Sequence, residues 1–150
     1  TLLAPARRLG FLLPAEGAVH VHLDAAEFQS AHRMQKLVRL FSEQRENLRM
    51  LCKPNPNCRR LGPWPESLLS TVNARDFADI PWPEAVRRMN GTGVKKFCDF
   101  NIVNILDGRP DKLTFEVRIL APSTNSDEIV QLAKVLSGLL DEISTDSSHH

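Results

Sequence analysis

Two stretches of strict alternation stand out along the chain: Ala18-Val19-His20-Val21-His22-Leu23-Asp24 and Leu113-Thr114-Phe115-Glu116-Val117-Arg118. Side chains two apart on an extended backbone point the same way. His20, His22 and Asp24 therefore share one face, with Val19, Val21 and Leu23 on the other. In the second stretch Thr114, Glu116 and Arg118 oppose Leu113, Phe115 and Val117. Both patterns predict half-buried strands.

Elsewhere the period is helical. Ala4 to Leu13 predicts a short helix, ended by Pro14 and the turn Ala15-Glu16-Gly17. Asp24 is placed to cap a long helix from about Ala25 to Leu51, with Phe28, Met34, Leu37, Val38, Phe41, Leu48 and Leu51 on its apolar side. Gln35, Lys36, Arg39, Glu43, Arg45 and Glu46 predict a solvated opposite side. Pro54, Pro56, Pro63 and Pro65 forbid regular structure over the next segment. Pro65 can then open a short helix through about Val72. A second short helix, Pro83 to Met89, stops at Asn90-Gly91-Thr92-Gly93. Lys95 to Leu106 reads as extended, 107–110 as a turn and Lys112 to Leu120 as a strand, which predicts a hairpin. Asn125 with Glu128 marks the start of a last helix whose core face is Ile129, Leu132, Ala133, Leu136, Leu139, Leu140 and Ile143.

Few strands, several helices and no βαβ alternation predict an α+β fold, an antiparallel sheet with helices packed on one face. Such a sheet leaves its other face for a ligand. Residues 1–146 are expected to form a single domain, and Ser147-Ser148-His149-His150 resembles a purification-tag remnant. The apolar fraction of 42% and charged fraction of 25% are those of a globular protein. A net charge of +1 gives no reason to expect a nucleic-acid partner. No apolar run reaches the roughly 18 residues of a membrane span. Three cysteines without a secretion signal favour reduced thiols and a cytoplasmic location, with a Cys52–Cys58 disulfide as the alternative. The chain begins without Met, which suggests a segment of a longer protein.

The polar strand faces carry the chemistry. His-x-His places two imidazoles about 7 Å apart on one side of a strand, close enough to share a site. Glu116 adds a hard oxygen donor suited to Mg²⁺ or Mn²⁺, and Arg118 a planar fork suited to phosphate or carboxylate. Taken separately, His-x-His is as readily a surface feature, and Glu-x-Arg is more readily a cross-strand ion pair. Arg59, Arg60, Lys95 and Lys96 read first as solvated charges and second as phosphate contacts.

Taken together and in this order, Val19-His20-Val21-His22-Leu23-Asp24 before a long amphipathic helix, then Thr114-Phe115-Glu116-Val117-Arg118 and a closing helix, resemble the C-terminal half of the carboxylate–amine ligases. That group comprises glutamine synthetase, glutamate–cysteine ligase and the bacterial amidoligases, the last being the most similar. The resemblance covers about Gly17 to Ile143. It implies a glutamine-synthetase-like catalytic-domain portion and ATP-dependent amide synthesis through an acyl phosphate, with Mg²⁺ or Mn²⁺ stabilising the phosphoryl charge. By position it makes His20 and Glu116 metal ligands and puts His22 on the nucleotide phosphates. Arg118 becomes the catalytic group that holds the transferring phosphate or the substrate carboxylate. Asp24 stands where relatives carry a small polar residue or Asp, and capping is an equal reading for it.

In these ligases a Glu-x-Glu pair on earlier strands completes the metal site. Only 19 residues precede His20 here, and Glu16 is the only acid among them. Ile119 to Asn125 also lacks the Gly-Thr-Leu-Asp stretch that often follows the Arg. The resemblance thus implies a C-terminal portion that is inactive alone, acts on small-molecule or peptide carboxylates and amines, and needs a missing N-terminal half or a second chain. Apolar surface meant for that half would favour homo-oligomers. The alternative is a degenerate domain that binds a nucleotide, metabolite or protein without chemistry.

Overall fold

The computed structural model describes residues 3–145, and the 147–150 segment lies outside them. In chain order the elements are α1 (Leu3–Arg8), β1 (Val19–Asp24), α2 (Ala31–Glu43), α3 (Arg45–Cys52), α4 (Glu66–Val72), α5 (Trp82–Asn90), β2 (Phe100–Asn101), α6 (Val103–Asp107), β3 (Thr114–Leu120) and α7 (Ser126–Thr145). Short 3-10 turns lie at Ala26–Phe28, Phe77–Asp79 and Pro110–Lys112. The fold is mixed α+β, built on a three-stranded antiparallel sheet in the order β1-β3-β2.

The alternating segments become the two long strands because each has one apolar face to bury. Phe115, Val117 and Ile119 of β3 are fully buried. They face a core that includes Met34, Leu37, Val38 and Phe41, the i, i+3, i+4, i+7 stripe of α2. Phe41 meets Phe115 edge-on at 4.6 Å and Phe100 at 5.1 Å between ring centroids, so one aromatic joins α2 to both β3 and β2. On the C-terminal helix Leu136, Leu140 and Ile143 are buried, while Ile129 and Ala133 are only half-buried.

Several expected boundaries move, each for a local reason. The first helix ends at Arg8 rather than Leu13. Gly10 takes φ +74°, Phe11 N–H reaches the Ala6 carbonyl and Gly10 N–H reaches that of Arg7, the Schellman stop that glycine permits. Asp24 does cap, but only the turn at Ala26, whose N–H it accepts at 3.0 Å. Ser30 then caps α2 by accepting Arg33 N–H, and Gln44 interrupts the helix for one residue before α3. Leu51, expected in the core, is 48% exposed. The polar side of this region is not simply solvated: Gln35 is buried on the Val72 carbonyl and Arg39 holds Asn73.

The extended reading of Lys95 to Leu106 holds only at Phe100–Asn101. Asn101 Oδ1 accepts the Val103 N–H at 2.9 Å, a turn that leads into α6, and α6 ends at Gly108 in the left-handed conformation. β2 and β3 do pair antiparallel, with α6 and a 3-10 turn between them instead of a tight hairpin turn. All three cysteines are free thiols, and burial pushes Cys52 up to about 11. Among the described residues no helix is long and apolar enough to cross a membrane.

Candidate functional site

Register brings the two polar faces together. β1 and β3 pair with His22 opposite Glu116, Leu23 opposite Phe115 and Asp24 opposite Thr114. Asn101 of β2 lies opposite Glu116 from the other side. Between the pairs Val21–Val117 and Val19–Leu120, β3 carries Arg118 and Ile119 where β1 carries only His20. This bulge lets Arg118 stay beside the site while the strand turns into the core at Leu120.

The result is a concavity of about 560 Å³ lined by His20, His22, Asn101, Thr114, Glu116 and Arg118 of the sheet and Asn104 of α6, with Lys96, Phe97, Asp111 and Lys112 at its loops. Glu116 is its centre. The carboxylate is buried, and Oε2 accepts the Asn101 amide at 2.6 Å. Oε1 lies 2.8 Å from His20 Nδ1, 3.7 Å from His22 Nε2 and 3.9 Å from Arg118 Nη1. A neutral His20 donates from Nδ1 to that oxygen, which fixes the tautomer and leaves Nε2 as an acceptor. Burial holds the His20 pKa below its usual value. The Arg118 cation adds to the lowering, while the Glu116 carboxylate opposes it. His22 is oriented separately through Nδ1, 3.0 Å from the Thr114 hydroxyl, which in turn accepts from Asn104.

Arg118 is nine-tenths buried. Its Nη1 donates to the Lys96 carbonyl at 2.9 Å, and its Nε has no partner. A guanidinium taken so far out of water is usually matched by a close carboxylate, yet Glu116 is 3.9 Å away. The remaining donors suit an anionic guest in the concavity.

Of the residues expected here, His20, His22, Glu116 and Arg118 converge on the one cavity, and Lys96 joins them at its edge. Arg59 and Lys95 do not line it. Arg60 reaches only the Phe97 ring, with its guanidinium carbon 5.4 Å from the centroid. Asp24 shares the strand face but serves the Ala26 turn and lines a separate hollow with Glu27, Ser137 and Asp141. Sequence reasoning missed Asn101, Asn104, Phe97 and Lys112. Asn101 had one signal, as an Asn able to turn its own backbone inside an apolar run, and the others had none.

The site does not fit Mg²⁺ by itself. Among the described residues no group of three or more His, Cys, Asp or Glu side chains is placed to hold a metal ion. Mg²⁺ takes an octahedron of mostly oxygen donors, whereas this wall offers one carboxylate whose oxygens already accept from Asn101 and His20.

A second buried acid sits close by in the chain and was not anticipated. Asp99 is fully buried, takes Arg45 Nε at 2.7 Å and Arg49 Nη1 at 2.9 Å, and accepts the Gly62 N–H at 2.9 Å. Its carbonyl receives the Arg118 N–H at 2.9 Å, so this knot ties α3 and the proline-rich loop to the strand that carries the site. No family model, no curated protein and no solved structure matches this chain.

Proposed function

We propose that the chain is the C-terminal portion of an ATP- and Mg²⁺- or Mn²⁺-dependent carboxylate–amine ligase and forms the phosphate-facing wall of its active site. The observation that carries this reading is the convergence of both motif strands: His20, His22, Glu116 and Arg118 line one concavity. In such a reaction the substrate carboxylate oxygen attacks the γ-phosphorus and ADP leaves. The amine nitrogen then attacks the acyl carbon and phosphate departs. Arg118, buried and short of acceptors, holds an anionic oxygen, and Lys96 and Lys112 add positive charge at the cavity's edge. His22, braced by Thr114, donates to phosphate. His20 and Glu116 would supply two ligands of a metal whose other ligands would come from an N-terminal half or a second chain.

The test is ATP turnover by the complete protein with its upstream segment. Turnover is expected to require Mg²⁺ and to collapse in Glu116→Ala. Unchanged turnover in that variant removes the assignment. A second reading, a domain that binds an anionic metabolite without chemistry, is favoured by the protein donors already on both Glu116 oxygens. Under it the complete protein binds ATP and never cleaves it.

A further inference from the structure

Phe97 is the one large apolar side chain among the described residues that is both exposed and part of the cavity. Its surface is 45% open. Three cations stand against its ring: Lys96 Nζ at 5.2 Å, the Arg60 guanidinium carbon at 5.4 Å and that of Arg118 at 5.6 Å from the centroid. These contacts hold the ring in place electrostatically. The Arg118 bond to the Lys96 carbonyl pins the backbone immediately before it.

The cavity thus offers a fixed aromatic surface beside three cations, Lys96, Lys112 and Arg118, and this pairing discriminates among guests. A purely apolar ligand would strip water from Lys96, Lys112, Asp111 and Arg118 and return no partner to any of them. A bare inorganic anion would satisfy the cations and leave the ring in water. A flat ring carrying phosphates uses both, because any base can stack on an aromatic face while cations take the phosphates. We propose that Phe97 is the stacking platform for the base of a nucleoside triphosphate, with the phosphates running towards Arg118 and Lys112. The proposal rests on the nucleotide reading above and adds the residue that separates a nucleotide from a simple polyphosphate.

The experiment is calorimetric titration of the chain with ATP and, separately, with inorganic tripolyphosphate, in wild type, Phe97→Ala and Phe97→Trp. Phe97→Ala is expected to weaken ATP binding by about tenfold, the size of one base–aromatic stack, and to leave tripolyphosphate binding unchanged. Phe97→Trp is expected to keep ATP affinity and to show quenching of the new tryptophan by ATP, measured against the wild-type signal of Trp64 and Trp82. Equal affinity of the wild type for ATP and tripolyphosphate overturns the platform and leaves the phosphate wall standing. So does a Phe97→Ala variant that binds ATP unchanged or loses both ligands equally. Failure of the wild type to bind either ligand overturns both readings.

Discussion

Asp99 and Glu116 are both buried acids in the same corner of the fold, yet their surroundings are opposite. Asp99 is enclosed: its surface is fully buried, and two arginines one helical turn apart and a backbone N–H approach it within 3 Å. Glu116 is held by a neutral amide and an imidazole, its nearest arginine is 3.9 Å away, and it faces a concavity of about 560 Å³. A buried charge that is closely paired on every side does structural work. One that is hydrogen-bonded but left beside an underpaired cation keeps a place for a guest.

The comparison breaks most readily at Asp99. Asp99→Ala leaves Arg45 and Arg49 without their acceptor and frees the Gly62 N–H, and it is expected to cost about 3 kcal/mol in urea unfolding. A loss under about 1 kcal/mol would show that the knot is not structural. Asn101→Ala removes the amide on Glu116 and the acceptor for the Val103 N–H, with an expected loss of about 2 kcal/mol by the same measurement. Glu116→Gln keeps the shape and is expected to cost only about 1 kcal/mol, well below Asp99→Asn. The reverse order would make Glu116 the structural acid of the two.

The smallest effect is the dependence on pH. Because burial and Arg118 lower the His20 pKa, the unfolded chain, titrating near 6.5, binds the proton more readily. The contribution is constant above pH 6.5, and stability falls as the pH drops through 6.5 towards the native value of His20. Urea midpoints between about pH 7.5 and 5 should decline less in His20→Gln than in wild type. An identical slope in both would remove His20 as the source.

Much of this was legible because it depends on period. Alternation identified β1 and β3 and the face on which each would carry His20, His22, Glu116 and Arg118, since the pleat sends every second side chain the same way. The α2 stripe and the Asn125 start of α7 were equally plain, and Asn125 Oδ1 does accept the Asp127 N–H. What was misread depended on distant partners. Arg45 has the spacing of a solvated helix face, and only a carboxylate 54 residues along the chain makes it half of a part-buried pair. The extended stretch after Lys95 reads as one strand because its apolar residues run on past Asn101, and the turn into α6 at Val103 has no local period to mark it.

The sequence by itself determined the α+β class, the two amphipathic strands and the set of side chains on their polar faces, all consequences of local stereochemistry and hydrophobic burial. Only the tertiary structure decided that those faces lie side by side in the register that sets His22 against Glu116. It alone decided that Asn101 completes the carboxylate, that Phe97 and Lys96 stand at the cavity's edge, and that Asp99 is closed while Glu116 is open. Register, bulge and loop placement are settled by contacts between residues far apart in the chain, where no local period exists to announce them.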